Sequence, residues 1–464
     1  MSAALPAADD VVPALGPPPR VRRARTAERT LANGLRVVVV RQAGVPLVEM
    51  RLRVPFAGTP RTATTHAARS ALLGDTMLAG TAERSQVEIA EALQRLGADM
   101  HVSTDADRLL VGGNTLATGL PALLGLLAEV LTTATYPSHE VAGERDRLVE
   151  RLAIARAQPS VLAREALAER MYDGHPYAKE LPDVDAVRRV NPAALRRLHA
   201  ERVAPAGSTL ILVGDLSPAR TLDRVEQALD VWRATGSAGV APPLPEVARA
   251  PTLIVDRPGS VQSAIRLGGP ALRRDDPDYP ALQLANLVFG GYFSSRLTEN
   301  IREDKGYTYT PNSRLDHAAA GSALVVQADV ATEVTAPALL EMQYELGRMA
   351  TGPVQQSELD NVRQYAIGNL AMSVATQTGL ASTLSALAGV GLDIDWLREH
   401  PRHLATVTLD EVYAQARRFL APARLVTVVL GDAAGMASSV EALGDVEVRP
   451  AARDAVDTGG AGPG

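Results

Sequence analysis

The chain is expected to fold as an α+β protein of two homologous domains, each a mainly antiparallel sheet covered by helices, joined by a linker. Three observations carry that expectation. At 464 residues the chain exceeds one ordinary core and suits two domains of roughly 200 residues each. A stretch of small residues and prolines, "RATGSAGVAPPLPEVARA" (233–250), suits a semi-extended linker and divides it near its middle. Finally, "VNPAALRRLHAERVAPAGSTLILVGD" (190–215) lies on "VTLDEVYAQARRFLAPARLVTVVLGD" (407–432) without a gap, at an offset of 217.

Each copy of that repeat reads as an amphipathic helix, an Ala-Pro break, a β run and Gly-Asp. Proline cannot continue the helix and sets the turn, and the unbroken apolar run is a buried strand. A gapless match that closes both halves points to duplication. The halves also open alike. "LANGLRVVVVRQAGVPLVEMRLRVPFAG" (31–58) reads as a hairpin, with Asn33-Gly34 as turn residues. "VQSAIRLGGPALRRDDPDY" (261–279) gives a strand and a loop, and helices follow at 62–79 and 278–289.

The expected division is an N-terminal arm without structure (1–28), a first domain (29–232), the linker (233–250), a second domain (251–450) and a flexible tail (451–464). Hydrophobic residues make up 46% and charged residues 22%, the range of a globular protein. A net charge of −6 argues against nucleic acid or an anionic membrane as main partner, since both reward clustered Lys and Arg. Having no cysteine, the chain can form neither disulfides nor thiolate metal sites. Its first 28 residues lack the apolar core of a secretory signal, and no apolar run reaches the ~18 residues of a membrane helix. A cytoplasmic setting is expected.

After the first helix, Ser85 and Glu88 form a capping box, Gly97 supplies the helix stop, and strands follow at about 99–104 and 108–116. The order hairpin, helix, "GT", amphipathic helix ending "LGA", paired strands resembles the M16 (pitrilysin/insulinase-like) metallopeptidases of the two-domain M16B type, whose domains have the LuxS/MPP-like fold. "GHP" at 174–176, the "VGD" strand end and "SSRL…IREDKGYTY" belong to the same pattern.

The resemblance implies a zinc site that this sequence does not supply. In the family, H-x-x-E-H places two histidines on one helix face, with a glutamate between them that activates the metal-bound water. Anchored on "GT", the family's "HFLEHMLFKGT" falls on "ALLGDTMLAGT" (71–81). The ligand positions become Ala71 and Asp75 and the base position Gly74. The third-ligand position, on the helix at 138–158, becomes Arg151, with Glu144 at the family's outer acid. A slip of one residue to Glu150 returns a carboxylate and no histidine, and His66 has no partner at i+4. No zinc is therefore expected in this chain, and no catalytic activity from it alone.

The remaining histidines read as structural. His139 and His175 stand alone, and His400 and His403, in H-P-R-H, suit a surface loop. No nucleophile elbow or P-loop occurs.

"GGYFSSRLTENIREDKGYTYTPNSR" (290–314) is the most family-like stretch. There the family carries an arginine and, seven residues on, a tyrosine that hold substrate backbone and oxyanion. The resemblance implies that role for Arg302 and Tyr309, with Tyr307 as an alternative. A guanidinium and a phenol suit it, because both are directed donors.

The expectation is a zinc-free subunit of a heterodimeric M16B peptidase, paired with an active H-x-x-E-H chain that brings the zinc. The two would act on short or unfolded peptides. Two rivals are a structural scaffold like the core subunits of the respiratory bc1 complex, and a stand-alone peptide-binding protein.

Overall fold

The computed structural model describes residues 25–233 and 236–451. The first half contributes β1 (Arg25–Thr30), β2 (Arg36–Arg41), β3 (Leu47–Pro55), β4 (Asp99–Thr104), β5 (Arg108–Leu116) and β6 (Thr209–Gly214). They form one sheet in the order β1-β2-β6-β3-β5-β4. The second half contributes β7 (Thr252–Asp256), β8 (Gln262–Ala271), β9 (Asn312–Ala318), β10 (Gly321–Ala331), β11 (Val426–Gly431) and β12 (Val446–Pro450), in the order β12-β7-β11-β8-β10-β9. Both sheets are mixed, with β2–β6, β7–β11 and β7–β12 parallel and the other pairs antiparallel.

The duplication is visible in the elements. The helix Pro192–Arg202 and β6 recur as the helix Leu409–Phe419 and β11, each 217 residues on. All six residues of β6 and all six of β11 are buried. A strand buried on both faces has no polar side to alternate with, which is why these two read as unbroken apolar runs.

What buries their second faces is an exchange of helices. The helix Pro159–Tyr172 belongs to the first half in sequence, yet its Ala163, Ala166, Leu167 and Met171 pack on Leu253, Val255, Val325 and Val428 of the second sheet. Reciprocally, Leu380, Leu384 and Leu387 of the helix Gln377–Gly389 pack on Val40, Ile211 and Val213 of the first sheet. These helices start 218 residues apart, so the exchange follows the repeat. Full burial of a Leu or Met contributes about 1.5–3 kcal/mol, and here that burial ties one half to the other.

The seam is also polar. Asp107, on the β4–β5 turn, accepts from Arg53 Nη2 at 3.2 Å, Tyr177 Oη at 2.8 Å and the Ala319 amide of the second half at 2.9 Å. Three donors, one of them a guanidinium, hold the carboxyl below its ordinary value against the opposing effect of burial. Gly389 makes room for this arrangement, since a Cβ there would lie 2.6 Å from Arg53 Cζ.

Three expectations need correction. Residues 25–28, assigned to the arm, belong to edge strand β1, which pairs with β2 around the Asn33-Gly34 turn, where Gly34 takes φ 89°; residues 1–24 lie outside the described residues. Strands β2 and β3 do not form a hairpin, because the doubly apolar β6 takes the central place between them. The H-P-R-H segment is helix, Trp396–Thr406, with Pro401 inside it. His400 is buried, stacked on Trp396 with centroids 4.1 Å apart, and its Nε2 is 2.7 Å from Gln283 Oε1. That packing offsets the one backbone bond the proline removes. Strand β12, at the end of the expected second domain, pairs with β7; of the expected tail, 452–464 lie outside the described residues.

Candidate functional site

The first helix, Ala63–Thr76, buries Ala68, Leu72, Leu73 and Thr76 against the first sheet. That leaves Ala71 half-buried on the wall of a cavity between the halves. Gly74 faces edge strand β4, where a Cβ would stand 3.2 Å from Thr104 Cγ2. The helix lies close on β4 because this position has no side chain, so a glutamate there would have to push Thr104 away.

Asp75 points to the helix Ser138–Arg156, where Arg151 Nη2 is 2.6 Å from Asp75 Oδ2 and Arg151 Nη1 is 3.5 Å from Glu144 Oε2. Arg147 Nη2 is 2.7 Å from Glu144 Oε1. Two arginines thus balance two carboxylates on facing helices. Partial burial raises the Asp75 carboxyl above its ordinary value although Arg151 opposes it, whereas the hydrogen bond from Arg147 draws Glu144 below. The sequence positions matched to the zinc ligands are therefore brought together and filled by a guanidinium. Zinc does not fit this donor set: Ala71 offers no ligand, and Arg151 puts fixed positive charge where a dication would sit. Among the described residues no group of three or more His, Asp and Glu could hold a metal.

The other histidines are structural or solvated. His66 Nε2 is 2.6 Å from the Phe56 carbonyl in a buried setting that lowers its pKa. His175 is held by the Pro242 carbonyl at 3.0 Å and the Tyr177 amide at 3.1 Å. His139 is an exposed partner of Glu140 at 3.3 Å.

In the second half the helix Tyr279–Asn286 continues as a π-helical turn to Gly291, and Arg302 sits in a second π-helical segment, Glu299–Asp304. Such turns carry one extra residue and re-aim side chains. The Arg302 guanidinium lies between two rings, its Cζ 4.6 Å from the Phe293 centroid and 4.7 Å from that of Tyr309. Its one ion pair among the described residues is with the adjacent Glu303, at 3.2 Å. Phe293 is 67% and Tyr309 77% exposed, whereas Tyr307 packs half-buried on the core of this half. The pair expected from sequence is thus in mutual contact, and Tyr309 is the tyrosine that faces solvent. Phe293 was not anticipated; its exposure beside the "SSRL" turn is invisible to a pattern of spacings.

Also unanticipated is the cavity, about 760 Å³, bounded by the first helix, the helix Pro159–Tyr172, and β9 of the second half. Arg274, in the loop after β8, lines this space.

A twice-built α+β scaffold with a metallopeptidase helix whose ligand positions hold a salt bridge defines a non-metal, peptidase-like protein. The chain belongs to the M16 peptidase family. The model described as "Insulinase (Peptidase family M16)" matches residues 70–183, and "Peptidase M16 inactive domain" matches 189–365. The chain is 25% identical over 408 residues to an uncharacterized zinc protease of Mycobacterium tuberculosis, covering 87% of this chain and 92% of that protein. It is 22% identical over 301 residues to a probable inactive metalloprotease of Bacillus subtilis, covering 62% of this chain and 68% of that one. Its fold is that of a peptidase M16 inactive domain from Pseudomonas fluorescens, with TM-score 0.80 at 24% identity over 88% of this chain and 98% of the other. The chain is a non-catalytic member of the family. No helix among the described residues is long and apolar enough to cross a membrane.

Proposed function

We propose that this chain is the zinc-free subunit of a two-chain M16B peptidase, closing a peptide chamber against an active H-x-x-E-H partner and presenting Arg302 and Tyr309 to that partner's zinc site. The observation that carries this reading is the Phe293–Arg302–Tyr309 stack. A guanidinium flanked by two exposed rings at 4.6 and 4.7 Å is oriented in advance, and its one ion pair among the described residues is with the adjacent Glu303. Preorganised donors of this kind stabilise charge that develops on a carbonyl oxygen. The salt-bridged Asp75–Arg151 position supports the same division of labour, since hydrolytic chemistry would have to come from another chain.

Peptides would join the complex as an added strand on a sheet edge, which tolerates many sequences. The test is a fluorogenic peptide assay of each chain alone and of the mixture. A rise in the partner's turnover on mixing is expected; no rise sinks the proposal.

A second reading, a stand-alone peptide-binding protein, is favoured by the cavity within the single chain. Peptide capture without cleavage by a partner-free homodimer would support it.

A further inference from the structure

The cavity between the halves, about 760 Å³, falls within the ~300–1,000 Å³ of ordinary ligand sites. Charged side chains on its wall are mostly satisfied within the protein: Arg53 pairs with Asp107, Arg108 with Asp105, Arg164 with Glu180, and Arg314 with Asp316. Arg274 makes no ion pair among the described residues. Its Nε is buried without a hydrogen-bond partner, while its guanidinium also neighbours the Tyr279 hydroxyl and the Trp396 ring, the latter at 5.8 Å. In the first helix, Ser70 is 3% exposed and its Oγ also lacks a partner. Both residues, one from each half, line the same space. An unsatisfied buried donor costs stability, and an acceptor entering the cavity would recover it.

The setting selects an anion. His317 flanks Arg274, with Nε2 3.2 Å from Tyr279 Oη and Nδ1 2.8 Å from Ser322 Oγ. Burial and the neighbouring guanidinium keep that imidazole neutral, so Arg274 is the standing charge at this wall. The setting also suits a peptide. Strand β9 is the free edge of the second sheet, and its residues 314–318 line the cavity, as does Thr104 of β4, the free edge of the first. Edge strands offer unpaired backbone donors and acceptors to an incoming strand.

We propose that this cavity seats the C-terminal carboxylate of a peptide laid along the β9 edge, with Arg274 gripping the carboxylate and Ser70 donating from the first helix. The inference rests on the reading that the chain holds peptides, but not on its having a catalytic partner. It makes the protein selective for peptides with a free C-terminus.

Fluorescence polarisation with this chain alone tests it, using N-terminally fluorescein-labelled hexapeptide pools that are either free acids or C-terminal amides. The free acids should bind about tenfold tighter or more. Arg274→Gln should erase the difference and Arg274→Lys should keep part of it, with melting curves confirming that both variants fold. Competition by acetate and succinate separates sources of the same chemistry. If either matches the peptide's affinity, the site takes a small free acid and the peptide assignment is overturned. Equal binding of acid and amide, binding of neither, or an undiminished preference in Arg274→Gln overturns it entirely. A failed rescue of partner turnover, with the free-acid preference intact, would sink only the two-subunit reading.

Discussion

Arg151 places its guanidinium 2.6 Å from the Asp75 carboxylate, joining the first helix to the helix Ser138–Arg156. The pair is half exposed, so its contribution to stability is small. Arg151→Ala should cost no more than about 1 kcal/mol in urea unfolding, the range of exposed ion pairs. The combined restoration Ala71→His, Gly74→Glu, Asp75→His and Arg151→Glu should be less stable than the parent, because a Cβ at 74 stands 3.2 Å from Thr104 Cγ2 and that side chain must shift. Zinc titration and circular dichroism of Ala71→His, Asp75→His, Arg151→Glu with and without Gly74→Glu separate the ligand effect from the steric one.

Arg302 is predicted to matter to chemistry and not to folding. Arg302→Ala should leave the melting temperature within a degree or two of the parent. In the mixed-chain assay it should lower kcat about 10²-fold, the scale of losing one oxyanion donor. Tyr309→Phe should retain the ring stack on Arg302 and lose only the hydroxyl, so a drop in kcat with little change in KM would assign the work to the phenol.

Asp107 ties the halves, and its carboxyl is held below the ordinary value. A depressed carboxylate contributes stability that is present above the unfolded value of about 3.9 and is lost as pH falls through the folded one. Asp107→Ala should cost about 3–5 kcal/mol at neutral pH, because Arg53 is left buried and unpaired. Urea unfolding followed from pH 4 downwards should show a shallower acid limb than in the parent.

His317 and His400 are both pushed down to about 3, first by burial and then by Arg274. Unfolded histidines near pH 6.5 take up protons that the folded ones refuse. Stability is therefore full above 6.5 and falls with decreasing pH by about 1.4 kcal/mol per unit for each histidine. His400→Phe, which can keep the stack on Trp396, should remove one histidine's share of that slope, about 1.4 kcal/mol per unit, between pH 6 and 5.

The exchanged helices predict joint unfolding. Leu167→Ala and Leu384→Ala should each cost about 2–5 kcal/mol, and each should lower the melting of the whole chain and not of one half. Calorimetry resolving two separate transitions in the parent would contradict this.

The sequence by itself determined the repeat, the paired strands β4 and β5 to the residue, the strands β6 and β11, and the loss of the metal ligands at 71, 75 and 151. Those features are local: hydrophobic period, caps, turn residues and the presence or absence of an imidazole are written within a few residues. What only the tertiary structure decided is which surfaces meet. An apolar face on Pro159–Tyr172 states that it must be covered, but not that the covering sheet starts some 80 residues later in the other half. The central place of β6, the salt bridge across 76 residues between Asp75 and Arg151, the exposure of Tyr309 beside a half-buried Tyr307, and the unpaired buried donors of Ser70 and Arg274 all depend on distant segments packing together. Burial drives that packing without direction, so sequence fixes how much surface each element hides and the assembled fold alone fixes against what.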